Sequence, residues 1–167
     1  HLVIRRQRQM CIRDRLGLAG LVAMTAPDLR RACQAIAGFE LLSSFNARGA
    51  SSFSLEEGKP ALKFYSVSPY NAYNLFVVDS VLSSWAHILS SISGQKEGIL
   101  EAVDIEFSDP GYADMYRRYF KCPVNFGAGS NRLVLQNEAL KLPVIQSCHS
   151  VHEGLKRQAE RELDRVR

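Results

Sequence analysis

The chain has 167 residues, 46% hydrophobic and 23% charged, which fits one domain with a core of its own and excludes a fibrous or highly charged disordered polymer. No run of eighteen apolar residues occurs, so no membrane span is expected. The formal net charge of +4 resides in residues 1–15, where five arginines face Asp14 alone; the remaining 16 basic and 16 acidic groups balance, so the body is neutral.

A basic arm ahead of a neutral domain has the composition of a nucleic-acid arm, since clustered arginines release counterions from phosphate. The run Ile4 to Arg15, however, resembles translated sequencing adapter of the kind found at the ends of metagenomic fragments. Residues 1–15 are therefore expected to be an artefactual or disordered arm that adds nothing to the fold, with part of the true amino-terminal region missing. No uninterrupted apolar stretch follows these charges, so a signal peptide is not expected. Cys11, Cys33, Cys122 and Cys148 are widely spaced without CxxC pairing, which argues against a disulfide framework or a zinc site and for a reducing cytoplasm.

Leu16 to Met24 reads as an apolar opening segment of small residues. It has neither GxGxxG nor Gly-Lys-Ser/Thr, so a nucleotide loop is set aside. Thr25-Ala26-Pro27-Asp28 predicts a helix start with Thr25 as cap, the helix running to about Leu42 and burying Leu29, Ala32, Cys33 and Ile36. Asn46 to Ser51 reads as a loop. Ser52–Leu55 and Ala61–Val67 alternate as strands around the turn Glu56 to Pro60, predicting an antiparallel hairpin. From about Ala72 to Ser93, Leu75, Val78, Leu82, Trp85, Leu89 and Ile92 recur at helical spacing, opposite a hydroxylated face that includes Ser80, Ser83 and His87.

Ala102 to Phe107 predicts a strand with Val103, Ile105 and Phe107 inward. Asp104 and Glu106 then fall on the outer face as solvated edge charges. Pro110-Gly111 breaks it, and a short helix follows with Ala113, Tyr116, Tyr119 and Phe120 on one face. Cys122-Pro123 ends that helix because the residue before a proline is pushed toward extended geometry. Val124 to Phe126 and Arg132 to Gln136 read as strands separated by the glycine turn Gly127 to Asn131, and Leu140 to Pro143 closes the strand region. Gln146 to Arg167 predicts a final helix with Val151, Leu155, Ala159, Leu163 and Val166 in a stripe; its other face carries mixed charge, the pattern of a solvated surface.

Catalytic constellations are sparse. Cys148, His149 and His152 share a helical turn, but a metal needs three or four convergent ligands, so a surface or capping role is expected for both histidines. Cys122 beside Gly127 and Gly129 has the parts of a thiol nucleophile and an anion nest, yet the turn alone accounts for them. No metal, no cofactor and no enzyme activity are expected.

One pattern is specific: Tyr116-x-x-x-Phe120-x-Cys122-Pro123-Val124-x-Phe126-Gly127-Ala128-x-x-Asn131-x-Leu133-Val134, followed by Leu140-x-x-Pro143. It resembles the end of the amino-terminal effector domain of AraC/XylS-type transcription regulators, in the subgroup whose domain is called arabinose-binding-like. Upstream, Leu18-Ala19-Gly20-Leu21 with Thr25, Asp28, Leu29 and Ala32 is similar to the start of that domain, so the resemblance covers roughly residues 16 to 166. Two positions depart from the pattern: Lys121 stands where such proteins usually carry glycine, and Leu135 where an aromatic is common.

The resemblance implies a small-molecule effector, a homodimer, a cytoplasmic location, and control of transcription through a DNA-binding region with two helix-turn-helix motifs that lies outside this chain. The alternative is a stand-alone small-molecule-binding or protein-interaction module. The expected architecture for residues 16–167 is α+β, a small antiparallel sheet with helices packed on one side and a long C-terminal helix. The effector is expected between the hairpin and the long helix, against Tyr65, Tyr70, Trp85, His87 and Phe126.

Overall fold

The computed structural model describes residues 17–43, 49–67, 69–71 and 74–167; the expectation for the basic arm lies outside these. The fold is α+β, with five strands and five main helices among the described residues.

The apolar opening segment is itself a helix, α1, over residues 17–25. Thr25 closes it rather than starting the next: its Oγ1 donates to Leu21 O at 3.0 Å and Val22 O at 3.2 Å. With that hydroxyl engaged, Asp28 takes over as cap of α2, Leu29–Gly38, its extended backbone letting Oδ1 accept from Arg31 N at 2.8 Å. A 3₁₀ turn, Glu40–Leu42, completes the stretch expected as one helix.

β1, Gly49–Glu56, and β2, Lys59–Ser66, form the hairpin, longer at its base than the alternation suggested. Glu57 and Gly58 both take positive φ, 52° and 78°, the backbone of a tight two-residue hairpin turn. Gly49 at the far end is required, because a Cβ there would overlap the carbonyl oxygen of Tyr65.

After α3, Leu75–Ser93, come β3, Leu100–Ile105, α4, Ala113–Phe120, β4, Val124–Phe126, and β5, Asn131–Leu135; a 3₁₀ turn, Glu138–Lys141, then leads to α5, His149–Val166. The sheet order is β1-β2-β5-β3-β4. It is mostly antiparallel, but β4 runs parallel to β3, with α4 as the crossover that a parallel pair needs.

The two faces of the sheet differ sharply. Leu62, Phe64, Val103, Ile105, Val124, Leu133 and Leu135 form one face and are buried beneath the helices. α3 rests on β2 and β5. Among the described residues it is the one helix long and apolar enough to cross a membrane, yet Val78, Leu82, Trp85 and Leu89 are committed to this core.

On the other face, the register aligns Ser52, Lys63, Arg132, Asp104 and Asn125 in one row across all five strands. Arg132 bridges Asp104 at 2.7 Å and Glu56 at 2.5 Å, Lys63 reaches Glu56 at 2.8 Å, and Asn125 donates to Asp104 at 2.8 Å. Asp104 is therefore not a solvated edge charge: it is 8% exposed and held by two partners from neighbouring strands. The same pairing holds the Glu56 carboxyl below its ordinary range, the Lys63 hydrogen bond contributing most.

Other faces are narrower than their spacing implied. In α4, Ala113, Tyr116 and Phe120 are buried while Tyr119 is exposed; in α5, Ala159, Leu163 and His152 are buried while Val151 and Val166 are exposed. His152 is thus not a surface residue; it is buried against the last turn of α1. Its Nδ1 lies 3.1 Å from Val22 O at the end of α1. Lys121 ends α4 with φ 56° and ψ 33°, a left-handed conformation that suits glycine.

Candidate functional site

Because β3 and β4 are parallel, their C-terminal ends emerge together, and the aromatic residues just beyond them meet. Ile105 is in register with Phe126, and Phe107, two residues on, falls on the same face. Tyr70, on the segment leading to α3, meets Phe107 edge-on at 5.8 Å. Phe107 lies 6.0 Å from Phe126, Phe126 lies 5.1 Å from Tyr116, and Tyr112 stacks on Tyr116 at 5.8 Å. Five rings from four segments make a continuous row whose ends, Tyr70 and Tyr112, reach solvent.

Polar groups accompany the row on both sides. Asn131, 0% exposed, is the hub of one cluster. Its Oδ1 accepts from Glu106 N at 2.9 Å, and its Nδ2 lies 2.8 Å from Tyr70 Oη, 3.1 Å from Glu106 Oε2 and 3.4 Å from Phe64 O. The Tyr70 hydroxyl donates to the same Glu106 carboxylate. Burial, then the Glu106 hydrogen bond, pushes the Tyr70 hydroxyl up to about 12.

On the α3 side, Tyr116 donates to Asp79 at 2.9 and 3.0 Å, and burial followed by the Asp79 charge raises its hydroxyl above the ordinary tyrosine value. Burial also raises the Asp79 carboxyl, against the lowering effect of that hydrogen bond. One turn along, Tyr119 donates to Ser83 O at 3.3 Å, so α4 is fastened to α3 by two tyrosine hydroxyls.

Of the five residues expected at a ligand site, Tyr70 and Phe126 join this row through Phe107. The other three lie elsewhere. Trp85 is 2% exposed, edge-on to Phe64 at 6.2 Å, where helix and hairpin close on each other. Tyr65 is 63% exposed on β2 opposite Ala50. His87 is exposed on α3 and lines a separate cleft of about 250 Å³ with Lys96, Glu97, Tyr119 and Lys121.

Phe107 and Tyr116 in the row, and Asp79 and Asn131 beside it, were not among the expected ligand contacts. Phe107 and Tyr116 read as inward-facing, and both are indeed buried; Asn131 reads as the end of the glycine turn, and Asp79 carries no sequence signal of its own. What brings Phe107 beside Phe126 is the parallel β3-β4 pair.

The chemistry available here is stacking and hydrogen bonding. Burial raises the Cys122 thiol to about 11 and the Cys33 thiol to about 12, so neither is a ready thiolate. Among the described residues no cluster of His, Cys, Asp or Glu could hold a metal ion.

No curated protein matches the chain in sequence. In structure it is similar to the transcriptional regulator CdpR from Pseudomonas aeruginosa, with a TM-score of 0.71 at 17% identity, over 84% of this chain and 45% of that one. The chain thus spans less than half the length of that regulator, and the likeness speaks to the fold. The family model of the arabinose-binding domain of AraC transcription regulators, N-terminal, matches residues 6–144, including part of the basic arm. With most of its length inside that match, the chain belongs to the family of N-terminal arabinose-binding domains of AraC transcription regulators.

Proposed function

We propose that this domain senses a small molecule for an AraC-type regulator, and that the effector is held at the aromatic row, with Tyr70 and Phe126 among its contacts. The supporting observation is the row itself. Tyr70 and Tyr112 at its exposed ends and half-buried Phe126 offer aromatic faces, buried Phe107 and Tyr116 hold them in line, and Asp79, Glu106 and Asn131 supply a few fixed polar groups, the usual composition of a small-molecule site.

DNA recognition belongs to a region outside this chain, consistent with the charge balance of residues 16–167. The regulator acts as a homodimer in the cytoplasm, without enzymatic chemistry of its own.

The test is a transcription reporter driven by the regulator that carries this domain, with Tyr70→Phe and Phe126→Leu compared with the parent over a panel of candidate effectors. Loss of the effector response with retained folding supports the reading. A response unchanged in both variants removes the row as the effector site, and DNA binding indifferent to every small molecule removes the sensing role.

A further inference from the structure

A second concavity, about 710 Å³, lies between α2 and α5 and shares no residue with the aromatic row. It falls within the range of small-molecule sites, roughly 300–1,000 Å³. Val22, Ala35 and Phe39 give it an apolar floor. Its rim carries both signs of charge: Asp28 and Arg31 from α2, Glu153 and Lys156 from α5.

These charges are not equivalent. Asp28 is engaged twice by Arg31, through the backbone N–H at 2.8 Å and the guanidinium at 3.3 Å. Glu153 and Lys156, one turn apart on α5, form no ion pair with each other or with any other described residue, although Glu153 is only partly exposed. A carboxylate and an ammonium side by side and uncommitted can each take a partner of opposite sign.

His152 supplies the second observation. It is 7% exposed and lines the cleft. Two groups face its Nδ1, the Val22 carbonyl at 3.1 Å, which can only accept, and the Thr25 hydroxyl at 3.4 Å, whose proton is turned to the α1 carbonyls, so Nδ1 is the donor of the ring and Nε2 is left to serve as an acceptor. Nε2 makes no hydrogen bond to a described residue, and the side chain to which it belongs lines the cleft.

We propose that this cleft binds a free amino acid as the zwitterion. The ligand's ammonium would lie between Glu153 and His152 Nε2, its carboxylate beside Lys156 and the outer edge of Arg31, and its side chain over Val22 and Phe39. A simple anion would meet Glu153 unpaired and a simple cation would meet Lys156, so a molecule carrying both charges is the one that satisfies the rim. The site stands whether or not the aromatic row takes an effector.

The test is a thermal-shift screen of the full chain with each of the proteinogenic L-amino acids, followed by calorimetric titration of the best binder, its N-acetyl derivative and its carboxamide. One or more amino acids should raise the melting temperature, and both derivatives should fail to do so. Glu153→Gln and Lys156→Gln should each weaken binding by roughly tenfold, the loss of one charge-assisted hydrogen bond. Their ligand-free melting temperatures should stay near the parent's, and Glu160→Gln on the exposed side of α5 should bind normally.

Tyr70→Phe, which addresses the aromatic row, should leave amino-acid binding intact. No shift with any amino acid at millimolar concentration, equal binding of the N-acetyl form, or full affinity in both cleft variants would each overturn the proposal.

Discussion

Replacing Asn131 with alanine is the sharpest available test of how the end of the sheet is held together. The side chain is fully buried, with one acceptor bond to Glu106 N and Nδ2 donors shared among Tyr70 Oη, Glu106 Oε2 and Phe64 O. Two amide hydrogens can satisfy two of those three acceptors well, so about three hydrogen bonds are lost, one of them to a carboxylate. At about 1 kcal/mol for a neutral bond and roughly 1.5–3 for a charged one, with the Glu106 N–H left without a partner, the expected loss is about 3–5 kcal/mol. A chain of this size shifts by roughly 2–4 °C per kcal/mol, so the melting temperature should fall by on the order of 10 °C. Circular dichroism melts and urea titrations would read it.

Asn131→Asp sharpens the logic. It keeps the acceptor for Glu106 N but removes both donors and sets a second carboxylate beside Glu106. It should be as damaging at neutral pH and recover as the pH falls. If Asn131→Ala melted within about 0.5 kcal/mol of the parent, the range of an ordinary surface change, the hub assignment would be wrong.

Lys121→Gly should stabilise the domain by about 0.5–1 kcal/mol, since glycine adopts the left-handed backbone at this helix end without penalty and the ion pair it removes, to Glu97, is exposed; a lower urea midpoint for the variant would refute this. The Asp79 carboxyl is raised in the folded state, so its ionised form opposes folding and stability should increase as the pH falls from neutral through the carboxylate range. Asp79→Asn, which can still accept from Tyr116, should therefore equal or exceed the parent at neutral pH and lose that increment, whereas a large loss at neutral pH would show the charge to be favourable. Among the three cysteines in the described residues, alkylation followed by peptide mapping should label Cys148 first, because it is exposed and the Val151 backbone and the Ser150 hydroxyl lower its thiol, with Cys122 slow and Cys33 reacting on unfolding; equal rates at Cys33 and Cys148 would contradict the burial.

Local punctuation carried over from sequence to structure well. Glu57-Gly58 between alternating runs marks the hairpin, and Cys122-Pro123 and Gly127 bracket β4 nearly to the residue, because turn chemistry is written in the residues that make the turn. α1 was hidden because residues 17–24 are all apolar, so no polar stripe reveals a period. The burial of Asp104 and of His152 was not legible for a shared reason: the partner that buries each is distant in the chain. Arg132 arrives from β5, and the Val22 carbonyl lies at the end of α1. At the candidate site, Tyr70 and Phe126 could be named as aromatic, but their connection through Phe107 depends on two strands running the same way, which no local pattern encodes.

The strand order has a kinetic consequence. β5 is the last strand in the sequence and the central one in the sheet, with β1-β2 on one side and β3-β4 on the other. As the chain leaves the ribosome, the hairpin and the parallel unit can each form, but nothing joins them in one sheet until β5 arrives. Until then β2 and β3 both present an open hydrogen-bonding edge, beside apolar faces that include Leu62, Phe64, Val103 and Ile105. The Asn131-to-Leu135 strand therefore acts as the closing step of folding: a nascent chain that stalls before it holds two unfinished halves, each an invitation to pair with another copy.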